Sequence, residues 1–193
     1  LLNRVYGALI DQVHDYRGSV IAFSGDGINC WFEGDHGLRA TACALGMQQV
    51  MRQFAFFKLP TERSMSLAIK SAVATGTTRR FVVGDPQVQL IDVMPGAPLD
   101  RVARGYQLAN SGEVLVGSQV SRQLAGRIRI AAWRQDGNDQ RFAVVSGITD
   151  PVAATPWPTL PPESLGKTQM RPWLLAPVYE RLLSGQSQYL SEL

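Results

Sequence analysis

The sequence predicts an α+β domain of ferredoxin-like plan, with an antiparallel sheet carrying its helices on one face. Three observations lead there. Apolar residues recur at helical spacing in three segments and alternate, or run together, in short strands between them. Turns rich in Gly and Asp join several of those strands in pairs. The order then reads helix, hairpin, helix, strand, hairpin, helix, strand. With one strand placed before Leu1, this becomes β-α-β-β-α-β with a closing hairpin added.

Leu2, Tyr6, Leu9 and Val13 are spaced four, three and four, one apolar helical face, and Gly18 offers a stop. In VIAFSGDGINCWF (residues 20–32) two apolar runs flank Ser24-Gly25-Asp26-Gly27. An Asp between two glycines makes a hairpin turn, because glycine tolerates positive φ and Asp bonds its own backbone. Both strands are almost wholly apolar, so both faces are expected to be buried. A helix is expected over residues 37–57, with Cys43, Met47, Val50 and Phe54 as its seam and Pro60 just beyond. Leu67, Ile69, Ser71 and Val73 alternate as one face of a strand that Gly76 closes.

RRFVVGDP (79–86) and VQLIDVMPG (88–96) read as two strands separated by Gly84-Asp85-Pro86. APLDRVARGYQLANSG (97–112) reads as a helix with Pro98 in its first turn and Gly112 past its end. EVLVG (113–117) is a short buried strand and SQVSRQLAG (118–126) a short helix. RIRIAAWR and QRFAVVSGI close the domain as a hairpin around Asp136-Gly137. After Thr149 the composition changes, and seven of the eleven prolines lie beyond residue 150. Such a stretch suits neither a ladder nor a helix interior. The domain is therefore assigned to residues 1–147, and residues 148–193 to a Pro-rich linker with one helix near Val178–Leu183.

The 193 residues carry a net charge of +3 with no run of Lys or Arg, which argues against a nucleic-acid partner. Apolar runs fall short of a membrane span, and no signal-peptide pattern is present. The two cysteines, Cys30 and Cys43, belong to no CxxC pair and read as buried thiols of a reducing, cytoplasmic compartment. The chain opens in helical period without a Met, as a piece of something longer would.

Three stretches, in order, resemble the class III nucleotidyl cyclase catalytic domain. VIAFSGDGINCWF is similar to the family's hairpin, whose Gly-Asp carries one of two metal-binding aspartates. LAIKSAVATGTTRRFVVGD is similar to the strand–glycine–strand segment before the nucleotide site. GAPLDRVARGYQLANSGEVLVG resembles the helix that supplies transition-state groups and the strand after it. The nearest likeness is to the first cyclase domain of the soluble, bicarbonate-responsive tandem adenylyl cyclases. The Pro-rich tail resembles the connector to a second cyclase domain.

The resemblance implies a reaction: the ribose 3′-oxygen of ATP attacks the α-phosphorus, giving 3′,5′-cyclic AMP and pyrophosphate. It implies Mg²⁺ or Mn²⁺ held by Asp26 and by an aspartate upstream of Leu1, since hard cations choose carboxylates. It places Gly25 and Gly27 beside the nucleotide, and Arg104 and Asp100 at the positions of the family's Arg and Asn. By residue chemistry alone, Asp26 is either a metal ligand or simply good turn chemistry. Asp100 and Arg104, four apart, are either catalytic or a helix-surface ion pair.

The family's base-reading Lys falls on Ala22, and its second base-reading position on Val93, beside Asp92. Losing the Lys, the acid and the Asn while keeping a metal Asp is the pattern expected of the metal-donating half of a tandem pair. Ala22 argues against bicarbonate sensing. The alternatives are a degenerate pseudo-cyclase serving as a regulatory or dimerisation module beside an ATPase region, and an unrelated ferredoxin-like scaffold. Arg79 and Arg80 read as edge-strand charges, Lys70 as a solvated side chain, and Tyr6, Trp31 and Trp133 as core or interface aromatics. His14 and His36 lack companions at metal-ligand spacing.

Overall fold

The computed structural model describes residues 1–58, 64–161 and 164–185. Helix α1 (Leu2–Asp15) leads into the hairpin of β1 (Ser19–Ser24) and β2 (Gly27–Trp31). Helix α2 (Leu38–Met51) follows and ends in a 3-10 turn over Arg52–Phe54. Strands β3 (Phe57–Lys58) and β4 (Ser64–Met65) make a two-residue ladder before β5 (Ser71–Val73). The β6 (Phe81–Asp85) and β7 (Gln89–Val93) ribbon, α3 (Ala97–Leu108), β8 (Val114–Gly117) and α4 (Ser118–Gln123) come next. The body closes with the hairpin of β9 (Ile128–Gln135) and β10 (Arg141–Ile148). Beyond it lie α5 (Lys167–Met170) and α6 (Ala176–Leu183). Pro60 falls outside the described residues.

The predicted α+β class holds, and the structure changes two of its details. The main sheet, ordered β5-β8-β10-β9, is mixed: β5 runs parallel to β8, and the other pairings are antiparallel. Helices cover both faces of it. Val114, Val116, Ala143 and Val145 point into one core with Ala44 of α2 and Val120 and Leu124 at α4. Leu115, Phe142 and Val144 point the other way, into a core with Leu108 and Ala109 at the end of α3. Burial on both faces explains why β8 is apolar without alternation.

The first hairpin departs from expectation in the opposite sense. Every residue of β1 and β2 is half-buried or exposed, so only one face is covered. Val20, Ile28 and Cys30 pack on a core built from Val5, Leu9 and Val13 of α1 and Cys43, Met47 and Met51 of α2, with Phe54 just beyond. Likewise, the expected strand Leu67–Val73 is paired only over Ser71–Val73, although Leu67 and Ile69 still pack on the α1–α2 core.

Asp35 sets the start of α2 by accepting the amides of Arg39 (3.1 Å) and Ala40 (3.0 Å), two of the helix's orphan donors. The preceding Gly37 sits at φ 98°, and a Cβ there would lie 2.7 Å from Val120 Cγ1. Glycine is needed for both reasons, and its absence of side chain lets α4 approach α2.

The C-terminal segment crosses α1 as a strap. The amides of Thr155 and Trp157 donate to the carbonyls of Asp15 (2.8 Å) and His14 (3.2 Å), at the helix end where carbonyls lack intrahelical partners. The Trp157 indole N–H donates to Gly18 O at 2.7 Å, and the Arg17 guanidinium lies 6.0 Å from its ring centre. Farther on, Gln89 Nε2 of β7 donates to Trp173 O. No helix among the described residues is long and apolar enough to cross a membrane.

Candidate functional site

Asp26 is the second residue of the two-residue turn that joins β1 to β2, where Ser24 faces Gly27. Gly25, the first, has φ 62°, the left-handed value a type II′ hairpin asks of that position. Gly27 needs no such freedom, so the two glycines are not equivalent. A register shift between Val20 and Ala22 lets Val20 and Phe23 both face α1. The Phe23 ring meets Tyr6 edge-on, with centroids 5.7 Å apart, and the Tyr6 hydroxyl donates to Asp26 O at 3.1 Å. The turn is thereby tethered to the first helix, while the Asp26 carboxylate makes no hydrogen bond or ion pair among the described residues.

A cavity of about 1320 Å³ begins at this turn. All of β2 borders it on one side and residues 68–77 on the other, with Leu9, Cys43 and Met47 at its base and Tyr106 of α3 at its wall. Among the described residues β2 pairs only with β1, and β5 only with β8. Two strand edges, with their unpaired backbone donors and acceptors, therefore face each other across the space. That opening explains why the hairpin is half-exposed and why residues 66–70 lie outside any ladder.

Asp26 and Gly27 line the cavity; Gly25, Asp100 and Arg104 are not among the residues that do. Arg104 Nη1 lies 3.5 Å from Asp136 Oδ2 at the β9–β10 tip. The helix ion pair with Asp100 that the spacing offered does not form among the described residues. The reason is preorganisation. Asp136 Oδ1 accepts the amides of Asn138 (2.8 Å) and Gln140 (2.9 Å), and Oδ2 accepts no hydrogen bond. Those amides, Gln140's foremost, with the charge of Arg104 added, hold the Asp136 carboxyl below the usual range. A carboxylate already fixed by backbone amides offers the guanidinium a pre-set partner.

Lys70, expected to be solvated, lines the cavity and stands 4.4 Å from the centre of the Tyr106 ring. No local signal marks that contact, because its partner arrives on a distant helix. Asp92, beside the base-reading position Val93, receives Arg80 Nε on both carboxylate oxygens (2.9 and 2.7 Å). It is committed across the β6–β7 ribbon. Trp133 is 44% exposed, with the Arg141 guanidinium lying over its ring.

A divalent cation at this site would need carboxylate oxygens. No group of three or more His, Cys, Asp or Glu side chains comes together among the described residues. Of the two carboxylates lining the cavity, Asp35 is spent on the α2 amides and Asp26 is free. Mg²⁺ commonly takes one or two carboxylates and fills its remaining positions with water and substrate phosphate. A single free carboxylate on a tethered turn fits that habit.

Both cysteines border the cavity, and burial pushes the Cys30 thiol up to about 12 and the Cys43 thiol higher still, with the neighbouring Cys30 and Asp15 adding to the latter. At pH 8 about one Cys30 in ten thousand is then thiolate, so an aromatic disulfide reagent should label the folded chain far more slowly than the urea-unfolded one. Unfolded thiols ionise from about pH 8.5, while folded Cys30 keeps its proton to about pH 12. Stability should therefore be untouched by these groups below the first value and fall as pH rises through the window. Equal labelling rates for the folded and unfolded chain would contradict the burial assignment.

No family model and no curated protein matches the chain. Among solved structures it is similar to the guanylyl cyclase Cya2, at 21% identity and TM-score 0.67 over 81% of this chain and 83% of that one. It is also similar to the guanylate cyclase domain of RhGC from Catenaria anguillulae, solved in complex with GTP (16%, TM-score 0.60, 80% and 82%). A third likeness is to the adenylyl cyclase CyaB from P. aeruginosa (16%, TM-score 0.59, 78% and 83%). At these identities the likeness is one of fold, that of the class III adenylyl and guanylyl cyclase catalytic domains.

Proposed function

We propose that this chain is the metal-donating half of a nucleotidyl cyclase that converts ATP to 3′,5′-cyclic AMP and pyrophosphate together with a second cyclase-homology domain. The observation that carries the reading is the free Asp26 carboxylate on a tethered II′ turn at the mouth of the β2–β5 cavity, in a chain with the cyclase fold. Asp26 would hold Mg²⁺ or Mn²⁺, which when bound lowers the barrier to the 3′-oxygen's attack and offsets the charge leaving with pyrophosphate. The chain's own contribution is positioning: Gly25 sets the turn, and Tyr6 anchors its backbone. The two facing strand edges support a further strand between β2 and β5, which would carry the second carboxylate. Residues 148–193 would be the connector to the partner domain.

The isolated chain is expected to make no cyclic nucleotide from ATP with Mn²⁺. Co-expression with a complementary cyclase domain that supplies the base-reading Lys and the Asn/Arg pair should restore turnover, measured as cyclic AMP by chromatography. Turnover by the chain alone, abolished by Asp26→Ala, would overturn the half-site reading.

A second reading, a regulatory module of cyclase fold without catalysis, is favoured by one observation. Arg104 is engaged with Asp136 and is not among the residues lining the Asp26 cavity. Failure of every complementary domain to restore turnover, with association intact, would favour it.

A further inference from the structure

A second cleft, of about 450 Å³, opens where the C-terminal ends of β5 and β8 meet the β9–β10 hairpin. It adjoins the Asp26 cavity, sharing Ala74, Thr75 and Gln119 with it. Three arginines line it from three separate elements: Arg101 from α3, Arg122 from α4 and Arg141 from β10. None of the three has a salt-bridge partner among the described residues. The one carboxylate lining the cleft among the described residues, Asp139, accepts Gln135 Nε2 at 2.6 Å.

Two of the guanidiniums are held in place. Arg101 Nη2 donates to Thr75 O at 2.7 Å, while its Nε–H is shut off from solvent with no hydrogen-bond partner. Gly76 makes room for it: at φ 154°, a Cβ there would come within 2.6 Å of Arg101 Nη2. Arg141 lies over the Trp133 ring, 4.6 Å from its centre, which restricts its fork. Three like charges in one concavity repel one another unless an anion joins them, and an enclosed, unpaired N–H is costly. Planar guanidinium forks recognise tetrahedral oxyanions through paired N–H donors.

We propose that this cleft is a binding site for a phosphate-class oxyanion: orthophosphate, pyrophosphate or the terminal phosphates of a nucleotide. A concave cleft of this size favours a small ligand over a flat protein surface. The proposal does not depend on the cyclase reading, because Asp26 takes no part in it.

The test is titration of the full chain at constant ionic strength with orthophosphate, pyrophosphate and ATP, each without metal, followed by calorimetry and by thermal melting. Saturable binding of at least one is expected, and the strongest binder identifies the source. Arg101→Gln and Arg141→Gln should each weaken it about tenfold or more, as loss of a charge-assisted hydrogen bond does. Arg101→Lys, which keeps the charge but loses the fork, should fall between. Arg52→Gln, on an exposed turn elsewhere, should bind as the parent does. Melting curves in buffer alone identify variants that misfold, and Arg122→Gln then replaces them. Equal responses to chloride at matched ionic strength, unchanged binding in all the cleft variants, or binding of a poly-glutamate peptide with no response to any phosphate would overturn the assignment.

Discussion

Under the proposed half-site reading, replacing Asp26 by Asn in the chain paired with a complementary cyclase domain is expected to cut the cyclase rate by about two to three orders of magnitude, the usual cost of removing one preorganised electrostatic group. The size follows from where the residue sits. Its carboxylate has no hydrogen-bond or ion-pair partner among the described residues, so its charge is available to a cation, and an amide would supply none. The turn itself should survive. Gly25 carries the left-handed backbone, Asn is as good a turn residue as Asp, and Tyr6 bonds the backbone carbonyl rather than the side chain. Arg104→Ala should cost less, because its guanidinium engages Asp136 at a hairpin tip and is not among the cavity's lining residues. Steady-state rates for both variants, with melting curves beside them, decide the matter. An equal or greater loss for Arg104→Ala would mean that the chain supplies the other half of the active site.

The largest expected effect on stability is at Phe142. Only 2% of it is exposed, and its ring packs where a Cβ on Gly105 of α3 would fall 3.0 Å away. Gly105 is thus the small residue that lets the helix close on the sheet, and Phe142 is the surface it closes on. Phe142→Ala removes that surface and leaves a cavity in the core shared with Leu115 and Val144. Losses for such truncations run to about 3–5 kcal/mol. The measurement is the urea midpoint at unchanged slope. A loss below about 1 kcal/mol would mean that α3 is not seated by this contact. Restoring a larger side chain on the opposite side, as Gly105→Ala in the Phe142→Ala background, should recover part of the loss by filling the space.

How far the amino-acid sequence reaches can be judged from particular residues. The Asp26 turn was legible because its causes are local: a glycine that accepts positive φ, a carboxylate, and two apolar runs around them. The seams of α1 and α2 were legible in part: Leu9, Val13, Cys43 and Met47 follow the helical period and are buried, whereas Leu2, expected on the same face of α1, is exposed and Val5 is buried in its stead. The unalternating Val114–Val116 run already carried the mark of a strand covered on both faces. The equally apolar β1 and β2 carried the same mark and are covered on one face only. Apolar composition states what a strand can bury, whereas the burial itself depends on which edges and helices reach it.

The partners of the charged groups were not legible at all. Arg104 pairs not with Asp100, four residues away, but with Asp136, whose carboxylate backbone amides hold in place. Lys70 left its expected solvent for the Tyr106 ring, and Arg101, Arg122 and Arg141 converge only once α3, α4 and β10 are packed. The sequence by itself determined the α+β class, the order of elements and the position of the turn aspartate. These follow from periodicity and from backbone preferences that act over a few residues. Only the tertiary structure decided the mixed pairing, the helices on both faces, the open seam between β2 and β5 and the three-arginine cleft. Each of these depends on contacts between segments far apart in the chain, and a charge takes its partner from whatever the packing has already fixed in place.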